Sequence, residues 1–338
     1  MSPTVCLVIP ARNAARTLRP CLTAAVTILD QGQLARIIVV DDGSTDETAG
    51  IAGGFPVQRI QGHGQGPGAA RNLGWRTARE EIVWFIDSDC VAEPDALQRL
   101  LPHLNDPRVA GAGGSYGNMR PDSLLSCLIH EEIVARHERM GDRVDYLATF
   151  NVIYRRSVLE QTGGFDERLR TASCEDAELA WRILAAGHQL AFDQNSRVKH
   201  FHPARLRPYL RTQMRHGYYR VHLYLAHPRH ARGDAYSGIV DHVQPPLAVL
   251  LLASLPTLTW PQTRIVAPAL TLLLGLAQIP YTARLVRRTR SWKYLAYAPM
   301  SFLRAFARGI GMTAGVVAYL ASRLKRNRSD AESPAGPL

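Results

Sequence analysis

Two carboxylates follow directly after a short apolar stretch near residue 85. The run Val83–Ile86 is succeeded by Asp87-Ser88-Asp89. An apolar run this short, rich in β-branched and aromatic residues, is typical of a buried strand. Acidic side chains one residue apart repel each other and are costly to bury unpaired. A divalent cation removes both costs, and such oxygen ligands suit Mg²⁺ or Mn²⁺. The alternative is a solvated turn at the end of a strand.

The segments before this pair alternate between apolar runs and helical stretches. Cys6–Ile9, ended by Pro10, and Arg36–Val40 are predicted strands, and residues 14–29 between them are a predicted helix. Continuous apolar strands alternating with helices predict an α/β domain with a mostly parallel sheet. Ligands bind at the carboxyl ends of such strands. We therefore expect Asp42, which follows the second strand, to share a crevice with the Asp87–Asp89 pair.

Glycine is dense in residues 62–74, where it could be mistaken for a dinucleotide fingerprint. That fingerprint requires a strand leading directly into the glycines, and only the weak strand Val57–Ile60 precedes them. We favour glycines that let a ligand approach the backbone. Arg71, in the first turn of the next helix, is predicted to contact a phosphate or base. A solvated helix residue is the alternative for Arg71.

The remaining segments before residue 200 carry weaker patterns. We predict helices in Pro94–Leu104 and Ser123–Arg139, a strand in Asn151–Arg156, and a helix opened by Cys174. The last of these has acidic residues in its first turn, where the helix dipole favours anions, so simple capping is an alternative to function there.

Charge is distributed unevenly along the 338 residues. Residues 1–198 hold 20 Lys and Arg against 25 Asp and Glu, whereas residues 199–338 hold 20 against 4. A basic, apolar C-terminal part favours the face of an anionic membrane as partner, and nucleic acid is not expected. The five scattered cysteines favour neither a disulfide framework nor a zinc site and fit a reducing cytoplasm. The first apolar run is too short for a signal peptide, so none is expected.

Two uncharged stretches, Val243–Thr263 and Ile265–Ala283, follow in the C-terminal part. As helices they would span roughly 30 Å, the thickness of a bilayer core. We predict transmembrane helices at about 245–262 and 265–284, with two buried core helices as the alternative. The basic loop Arg284–Lys293 would be cytoplasmic by the positive-inside rule. This predicts a multi-pass cell-membrane protein with the domain that precedes the spans on the cytoplasmic face.

A third apolar stretch, Leu295–Ser322, is interrupted by Arg304 and Arg308. These arginines are four residues apart and share one helix face, as in a helix that lies in the membrane interface. We therefore predict an interfacial helix at about 295–322.

An ordered series of short motifs resembles the family 2 inverting glycosyltransferases, over about residues 4–220. The resemblance implies a nucleotide-diphosphosugar transferase fold of the GT-A type. The motifs are Val8-Ile9-Pro10-Ala11-Arg12-Asn13, Val39-Val40-Asp41-Asp42-Gly43-Ser44-Thr45-Asp46, Gly68-Ala69-Ala70-Arg71-Asn72, Asp87-Ser88-Asp89, Gly163-Gly164-Phe165-Asp166-Glu167 and Glu175-Asp176-Ala177-Glu178-Leu179.

For the donor side, the resemblance implies specific roles. Pro10, Arg12 and Asp42 would line the nucleobase and ribose pocket. Arg71 would support the donor, and Asp87 would face the ribose or the metal. The donor would be a nucleotide sugar.

For the reacting side, the resemblance implies that Asp89 binds Mg²⁺ or Mn²⁺, that His200 lies on the metal or near the diphosphate, and that Asp176 is the general base. His202 could take this role in place of His200, and a structural histidine is the alternative. An inverting transfer is a single displacement in which a carboxylate takes the acceptor proton and a cation neutralises the departing diphosphate. Four further residues are predicted on the acceptor or diphosphate side: Asn151, Glu175, His202 and Arg215.

One departure from the family pattern concerns processivity. Processive members carry a Gln-x-x-Arg-Trp motif after the base, and Gln213–Gly217 does not match it. Transfer of one or a few sugars is therefore expected rather than chain extrusion.

We predict a catalytic domain at residues 1–225, a linker at 226–242, a membrane region at 243–322 and a basic, disordered tail at 323–338. The predicted protein is a membrane-anchored inverting glycosyltransferase with a lipid-linked or growing cell-envelope glycan as acceptor, or a polyprenyl-phosphate glycosyltransferase. A catalytically idle nucleotide-sugar-binding protein and a nucleotidyltransferase are the alternatives.

Overall fold

The computed structural model describes residues 3–228, 236 and 238–332. It forms two compact units, the first running to Ala204 and including Tyr236, the second beginning at Arg205. The predicted catalytic domain ended at residue 225, but Leu206–Ala226 is one continuous helix of the second unit. Of the predicted linker, residues 229–235 and 237 lie outside the described residues.

A nine-stranded sheet forms the centre of the first unit, in the order β3-β2-β1-β4-β8-β6-β9-β5, with β7 also paired to β9. The strands are β1 (Val5–Ala11), β2 (Arg36–Asp41), β3 (Gln58–Gln61), β4 (Ile82–Ile86), β5 (Cys90–Ala92), β6 (Val109–Asn118), β7 (Arg143–Val144), β8 (Asn151–Arg155) and β9 (Gln189–His200). Four of the eight strand pairings are parallel, and these include every pairing among β1 to β4. The predicted α/β class is confirmed, and the sheet as a whole is mixed because β8 runs antiparallel to β4 and β6.

Both faces of the central strands are covered, which explains their continuous apolar runs. Along β1, Leu7 and Ile9 pack in one hydrophobic cluster while Cys6 and Val8 pack in the other. Neighbouring side chains of a strand point to opposite faces, so a strand buried on both sides has no polar alternation. The prediction that Pro10 ends this strand was wrong, because β1 continues to Ala11.

Seven helices of the first unit are described. They are α1 (Leu18–Asp30), α2 (Thr48–Gly53), α3 (Pro67–Thr77), α4 (Ala96–Leu100), α5 (Leu124–His137), α6 (Arg156–Thr162) and α7 (Glu175–Ala185). The helix predicted at residues 94–104 is shorter than expected, because a 3₁₀ turn at Leu101–Asn105 follows α4. The helix predicted within Ser123–Arg139 is confirmed, and the Ser123 hydroxyl caps it by accepting a hydrogen bond from the Ser126 amide.

The described part of the second unit is helical. Its helices are α8 (Leu206–Ala226), α9 (Ile239–Ser254), α10 (Val266–Leu276), α11 (Ile279–Thr289) and α12 (Tyr297–Glu332), with 3₁₀ turns at Leu255–Thr259 and Trp292–Ala296. Helices α8 and α12 approach closely at glycines. A Cβ at Gly311 would lie 1.9 Å from the Met214 carbonyl oxygen, and one at Gly217 would lie 2.2 Å from that of Arg308. Small residues at such contacts are common where helices pack in membranes.

Two helical segments among the described residues are long and apolar enough to cross a membrane: Val266–Thr289 and Trp292–Leu324. The first overlaps the span predicted at 265–284. The span predicted at 245–262 does not form one long helix, because α9 ends at Ser254 and a 3₁₀ turn follows. The second segment instead contains the stretch predicted to lie in the interface.

The arginines that suggested an interfacial helix point into the second unit. Arg304 is buried, and its guanidinium donates hydrogen bonds to the hydroxyls of Tyr209, Tyr297 and Ser301. Arg308 donates to Gln213 and Asp241. Helix α12 continues to Glu332, so the predicted disordered tail is helical up to that residue. Residues 333–338 lie outside the described residues.

Candidate active site

Acidic residues cluster at the carboxyl edge of the parallel strands. Asp41 ends β2 and Asp42 follows it, while Asp87 follows β4. Since β1 pairs in parallel with both β2 and β4, all three strands end at one edge of the sheet. The structure therefore brings the predicted acidic residues to the same edge, as expected for a ligand-binding crevice of an α/β sheet.

Asp42 organises the glycine-rich loop between β3 and α3. Its two carboxylate oxygens accept hydrogen bonds from the backbone amides of Gln65 (3.1 Å) and Gly66 (2.8 Å). Gly66 has a φ of +104°, and a Cβ there would lie 2.3 Å from the Arg170 carbonyl oxygen, so the loop requires glycine at this point. Asp42 is buried, and its carboxylate shapes the loop.

Pro10 and Arg12 lie at the end of β1 beside this loop. Pro10 is buried within β1, and its backbone pairs with that of Val40. Arg12 is exposed, and its guanidinium donates a 3.4 Å hydrogen bond to the Gly64 carbonyl oxygen. Of these two predicted donor-binding residues, only Arg12 offers a side chain to solvent.

Arg71 is a buried link between two acidic segments. Its Nη2 lies 2.7 Å from Asp87 Oδ1, and its Nη1 lies 2.9 Å from Glu175 Oε1. The guanidinium also lies over the Phe165 ring. Burial alone would lower the pKa of Arg71, but the negative charges of Asp87 and Glu175 raise it above its ordinary value. The alternative of a solvated helix residue is excluded, because Arg71 is 3% exposed.

Strand pairing brings His200 to Asp89. Strand β5 runs antiparallel to β9, with Cys90 opposite His200. His200 Nε2 consequently lies 3.1 Å from Asp89 Oδ2. Ligand atoms of Asp89, Cys90 and His200 all lie within 4.8 Å of one another. The Asp89 side chain is 42% exposed, so a ligand can reach it.

The donor atoms of this group fit a divalent cation. Burial, with the charges of Asp89 and Asp87, raises the pKa of the Cys90 thiol well above its ordinary value. The carboxylate oxygen of Asp89 and the imidazole nitrogen of His200 are the other two donors. A carboxylate oxygen suits Mg²⁺ and Mn²⁺, and an imidazole nitrogen suits transition metals.

His202 contacts the His200 ring and is only 1% exposed. The two Nδ1 atoms are 2.8 Å apart, so one of them must carry a proton and the other must accept it for a hydrogen bond to form. Burial and His200 lower the pKa of His202 to about 2, so the His202 ring is neutral. Its Nε2 has no hydrogen-bond partner among the described residues. The hydrogen bond between the two rings couples the tautomer of His200 to that of His202.

Asp176 lies in the first turn of α7, next to Glu175. The Tyr146 hydroxyl donates a 2.9 Å hydrogen bond to Asp176 Oδ2, and the Ala177 amide donates one of 2.8 Å to Oδ1. Burial and the charge of Glu175 raise the pKa of Asp176 to about 7. A carboxylate with such a pKa can accept a proton near neutral pH and is favoured as a general base.

Three other residues predicted on the acceptor or diphosphate side are Asn151, Glu175 and Arg215, and they lie in three different environments. Asn151 is fully buried, where it accepts a hydrogen bond from Trp84 Nε1 and donates to the Ser196 hydroxyl. The structure therefore places Asn151 in the core of the sheet rather than on the acceptor side. Glu175 is buried as the partner of Arg71. Arg215 is exposed on α8, in the second unit.

Tyr146 and Tyr116 contact residues of the candidate site, and the sequence patterns did not reveal them. Tyr146 lies in the connection from β7 to β8, where neither a helix nor a strand period is present. The Tyr116 ring stacks on Phe150 and lies 5.0 Å from the ring of His200. No local motif signals these tyrosines, because each acquires its position through contacts with distant segments.

The chain is similar in sequence to known glycosyltransferases. A family model described as glycosyl transferase family 2 matches residues 6–163. A pre-mycofactocin glycosyltransferase of Mycobacterium tuberculosis is 30% identical over 244 residues, covering 66% of this chain and 48% of that protein. The O-antigen chain rhamnosyltransferase RfbN of Salmonella typhimurium is 28% identical over 217 residues, covering 59% of this chain and 66% of that protein. The chain thus spans about half and about two thirds of the length of these relatives.

The fold has a counterpart among solved structures. The mannosyltransferase PcManGT of Pyrobaculum calidifontis, solved with GDP-Man and Mn²⁺, superposes with a TM-score of 0.59 at 20% identity. The match covers 93% of this chain and 88% of that one. Residues 6–163 of the chain thus match the family 2 glycosyl transferase model, and the mixed α/β domain of the first unit has a GT-A-like fold.

Proposed function

We propose that the chain is a membrane-anchored inverting glycosyltransferase, which moves a sugar from a nucleotide-diphosphate donor to a hydroxyl acceptor. The observation that carries this proposal is the Asp176 carboxylate, held by Tyr146 and with a pKa of about 7. The family 2 domain and glycosyltransferase relatives support the reaction class.

The proposed reaction is a single displacement at the anomeric carbon. The acceptor oxygen forms a bond to that carbon while the bond from carbon to the donor phosphate oxygen breaks. The acceptor proton passes to the Asp176 carboxylate, and the nucleoside diphosphate leaves with the electron pair of the broken bond. General base catalysis of this kind typically contributes ~10²–10⁴-fold to the rate.

Asp89 and His200 are the residues we assign to a divalent cation, Mg²⁺ or Mn²⁺. When bound, such an ion neutralises negative charge on a departing diphosphate. The Mn²⁺ bound by the similarly folded PcManGT supports this assignment. Around the donor, this chain contributes the loop shaped by Asp42 and the exposed guanidinium of Arg12.

Arg71 has a supporting role in this scheme rather than direct contact with the donor. Its guanidinium is already paired with Asp87 and Glu175. It joins the Asp87 turn to the start of α7, which carries Asp176. We infer that Arg71 holds the turn at Asp87, on the donor side, at a fixed distance from the base Asp176.

The second unit supports a membrane location. Of 25 exposed large apolar side chains in the described residues, 24 lie in this unit. Exposed apolar surface of this extent marks a membrane or protein contact. Together with the two apolar helical segments, this surface supports the membrane part of the proposal, and we propose a lipid-linked or growing glycan as the acceptor. The O-antigen relative fits an envelope glycan.

Nucleotide binding tests the donor class. Calorimetric titration of the detergent-solubilised chain with UDP, GDP and CDP, with and without Mn²⁺, is expected to show metal-dependent binding of one nucleotide. Asp89→Ala is expected to abolish the metal dependence. Absence of binding to all three, with folded protein, would contradict the proposed donor class.

Asp176→Asn tests the assignment of the base. The amide keeps the shape of the side chain but cannot accept the proton, so we expect turnover to fall at least ~10²-fold with nearly unchanged nucleotide affinity. The measurement is release of nucleoside diphosphate with a panel of glycan and polyprenyl-phosphate acceptors. Asp95→Asn, on the exposed turn before α4, is the control. Near-normal turnover of Asp176→Asn would remove Asp176 as the base.

A further inference from the structure

We propose that Tyr146 is a positioning residue for Asp176: its hydroxyl donates a hydrogen bond to one carboxylate oxygen and so fixes the orientation in which the carboxylate meets the acceptor. This inference rests on the proposed function, because it presumes that Asp176 is the base. Tyr146 is not part of any motif of the resemblance described above.

Two hydrogen bonds fix the Asp176 carboxylate, one at each oxygen. Oδ2 accepts the 2.9 Å hydrogen bond from the Tyr146 hydroxyl, which comes from a segment 30 positions away in the chain. Oδ1 accepts a 2.8 Å hydrogen bond from the amide of the next residue, Ala177. Each carboxylate oxygen has two acceptor positions, so the carboxylate can still accept from an incoming hydroxyl. Tyr146 is therefore the side chain that orients Asp176 from outside α7.

The surroundings of Tyr146 hold its ring in place. Val144, two residues earlier, pairs with Leu190 of β9. Leu147, the next residue, is 1% exposed in the core. The Tyr236 ring lies 5.7 Å from the Tyr146 ring at 46°. A side chain held between a strand pairing and a buried leucine is suited to orient a partner.

The charged and titratable groups around Asp176 come from several elements. Glu175 of α7 and burial favour the protonated acid, while Arg71 of α3 and the Tyr146 hydroxyl favour the carboxylate. Tyr154 of β8 also interacts with Asp176. Removing the Tyr146 hydroxyl takes away one group that favours the charged form. The pKa of Asp176 should therefore rise, and more of the base should be protonated at neutral pH.

The test is the pH dependence of kcat/KM for the full chain and for Tyr146→Phe. Activity of the parent should rise through an acid limb near pH 7, where the base loses its proton. In Tyr146→Phe the limb should move about 0.5 to 1 pH unit higher, the shift expected from one lost hydrogen bond. Tyr219→Phe, which removes a hydroxyl from α8, should leave the limb in place. A merely structural role would lower activity evenly at all pH values.

Two additional measurements separate the outcomes. Unchanged nucleotide affinity shows that Tyr146→Phe is folded, and Tyr146→Gln, which restores a donor, should move the limb part of the way back. An unmoved limb in Tyr146→Phe, with Asp176→Asn inactive, overturns the role of Tyr146 alone. An active Asp176→Asn instead overturns the base on which both proposals depend.

Discussion

At the scale of single residues, the site depends on charges that compensate each other inside the protein. Arg71 and Glu175 are 104 positions apart in the chain, and both are nearly fully buried. A buried ion pair contributes little net stability, but removal of one partner leaves an uncompensated charge in a poorly solvated place. The Arg71–Glu175 pair therefore fixes the relative position of α3 and α7 more than it stabilises the fold.

Arg71→Met tests this compensation. The substitution keeps an unbranched side chain of similar length but leaves Glu175 buried without its cation, so the free energy of unfolding should fall by about 3–5 kcal/mol. Denaturant unfolding of the solubilised chain measures it. The double variant Arg71→Met with Glu175→Gln should recover part of the loss. A loss of less than about 1 kcal/mol in the single variant would show that Glu175 finds another partner or becomes protonated.

His202 gives a second prediction at this scale. His202→Phe keeps a ring but removes the hydrogen bond to His200, so Mn²⁺ affinity should fall by about 10–100-fold, as is common for partners of metal-binding histidines. His202→Asn, whose side-chain amide can take the place of Nδ1, should lose less. Calorimetric titration with Mn²⁺ in the presence of the bound nucleotide provides the measurement. Equal affinity of all three proteins would show that His202 only fills space.

At the scale of elements, short connections after the parallel strands build the proposed donor side of the site. The loop from β3 to α3 is held by Asp42, which follows the neighbouring strand β2. Such a connection needs a backbone conformation with positive φ, which glycine adopts without strain. The dense glycines thus serve the shape of the loop, and the absence of a strand leading directly into them explains why a dinucleotide fingerprint does not apply.

Gly66→Ala should disrupt this loop. A Cβ at this position would combine a φ of +104° with a 2.3 Å approach to the Arg170 backbone, and strain of this kind costs about 1–3 kcal/mol. We expect nucleotide affinity to fall at least about tenfold in calorimetric titration. Gly53→Ala is the matched control, since a Cβ there has open space in α2. Unchanged affinity of Gly66→Ala would mean that the loop does not contact the donor.

At the scale of the whole molecule, the two units differ in kind. The first buries its apolar strands on both faces, whereas the second exposes nearly all the large apolar side chains that the described residues leave uncovered. On α10, Leu272 is 63% exposed and Leu276 is 50% exposed. An apolar helix surface in contact with water is costly, and a bilayer removes this cost.

Paired charges on α10 test membrane association. Leu272→Lys with Leu276→Lys places two charges four residues apart, at an insertion cost of about 2.5–3.5 kcal/mol each. The share of full-length protein that floats with lipid vesicles should fall sharply. Thr23→Lys with Thr27→Lys, on the exposed face of α1, is the control with the same spacing. If the α10 variant floated like the parent, this helix would not be embedded.

Local patterns predicted the elements better than their ends or their contacts. Apolar runs such as Val83–Ile86 predicted strands correctly, because burial on both faces leaves no polar position. The end of β1 was misplaced, since Pro10 lies within a parallel strand where the pattern suggested a stop. The first membrane span was also misplaced, because apolar composition does not show that α9 ends at Ser254. The inward direction of Arg304 and Arg308 depends on α8 and α9, which a helical period cannot reveal.

The strands and helices, the types of residue expected in the site and the fold class could be predicted from the sequence. Strand burial, turn chemistry and charge are local properties of the chain. The meeting of particular side chains is a property of the tertiary structure. His200 reaches Asp89 through the register of β5 against β9, and Tyr146 reaches Asp176 through a connection without any regular pattern. Such contacts join segments far apart in the chain, and their geometry is set by strand register and core packing, which no local run of residues specifies.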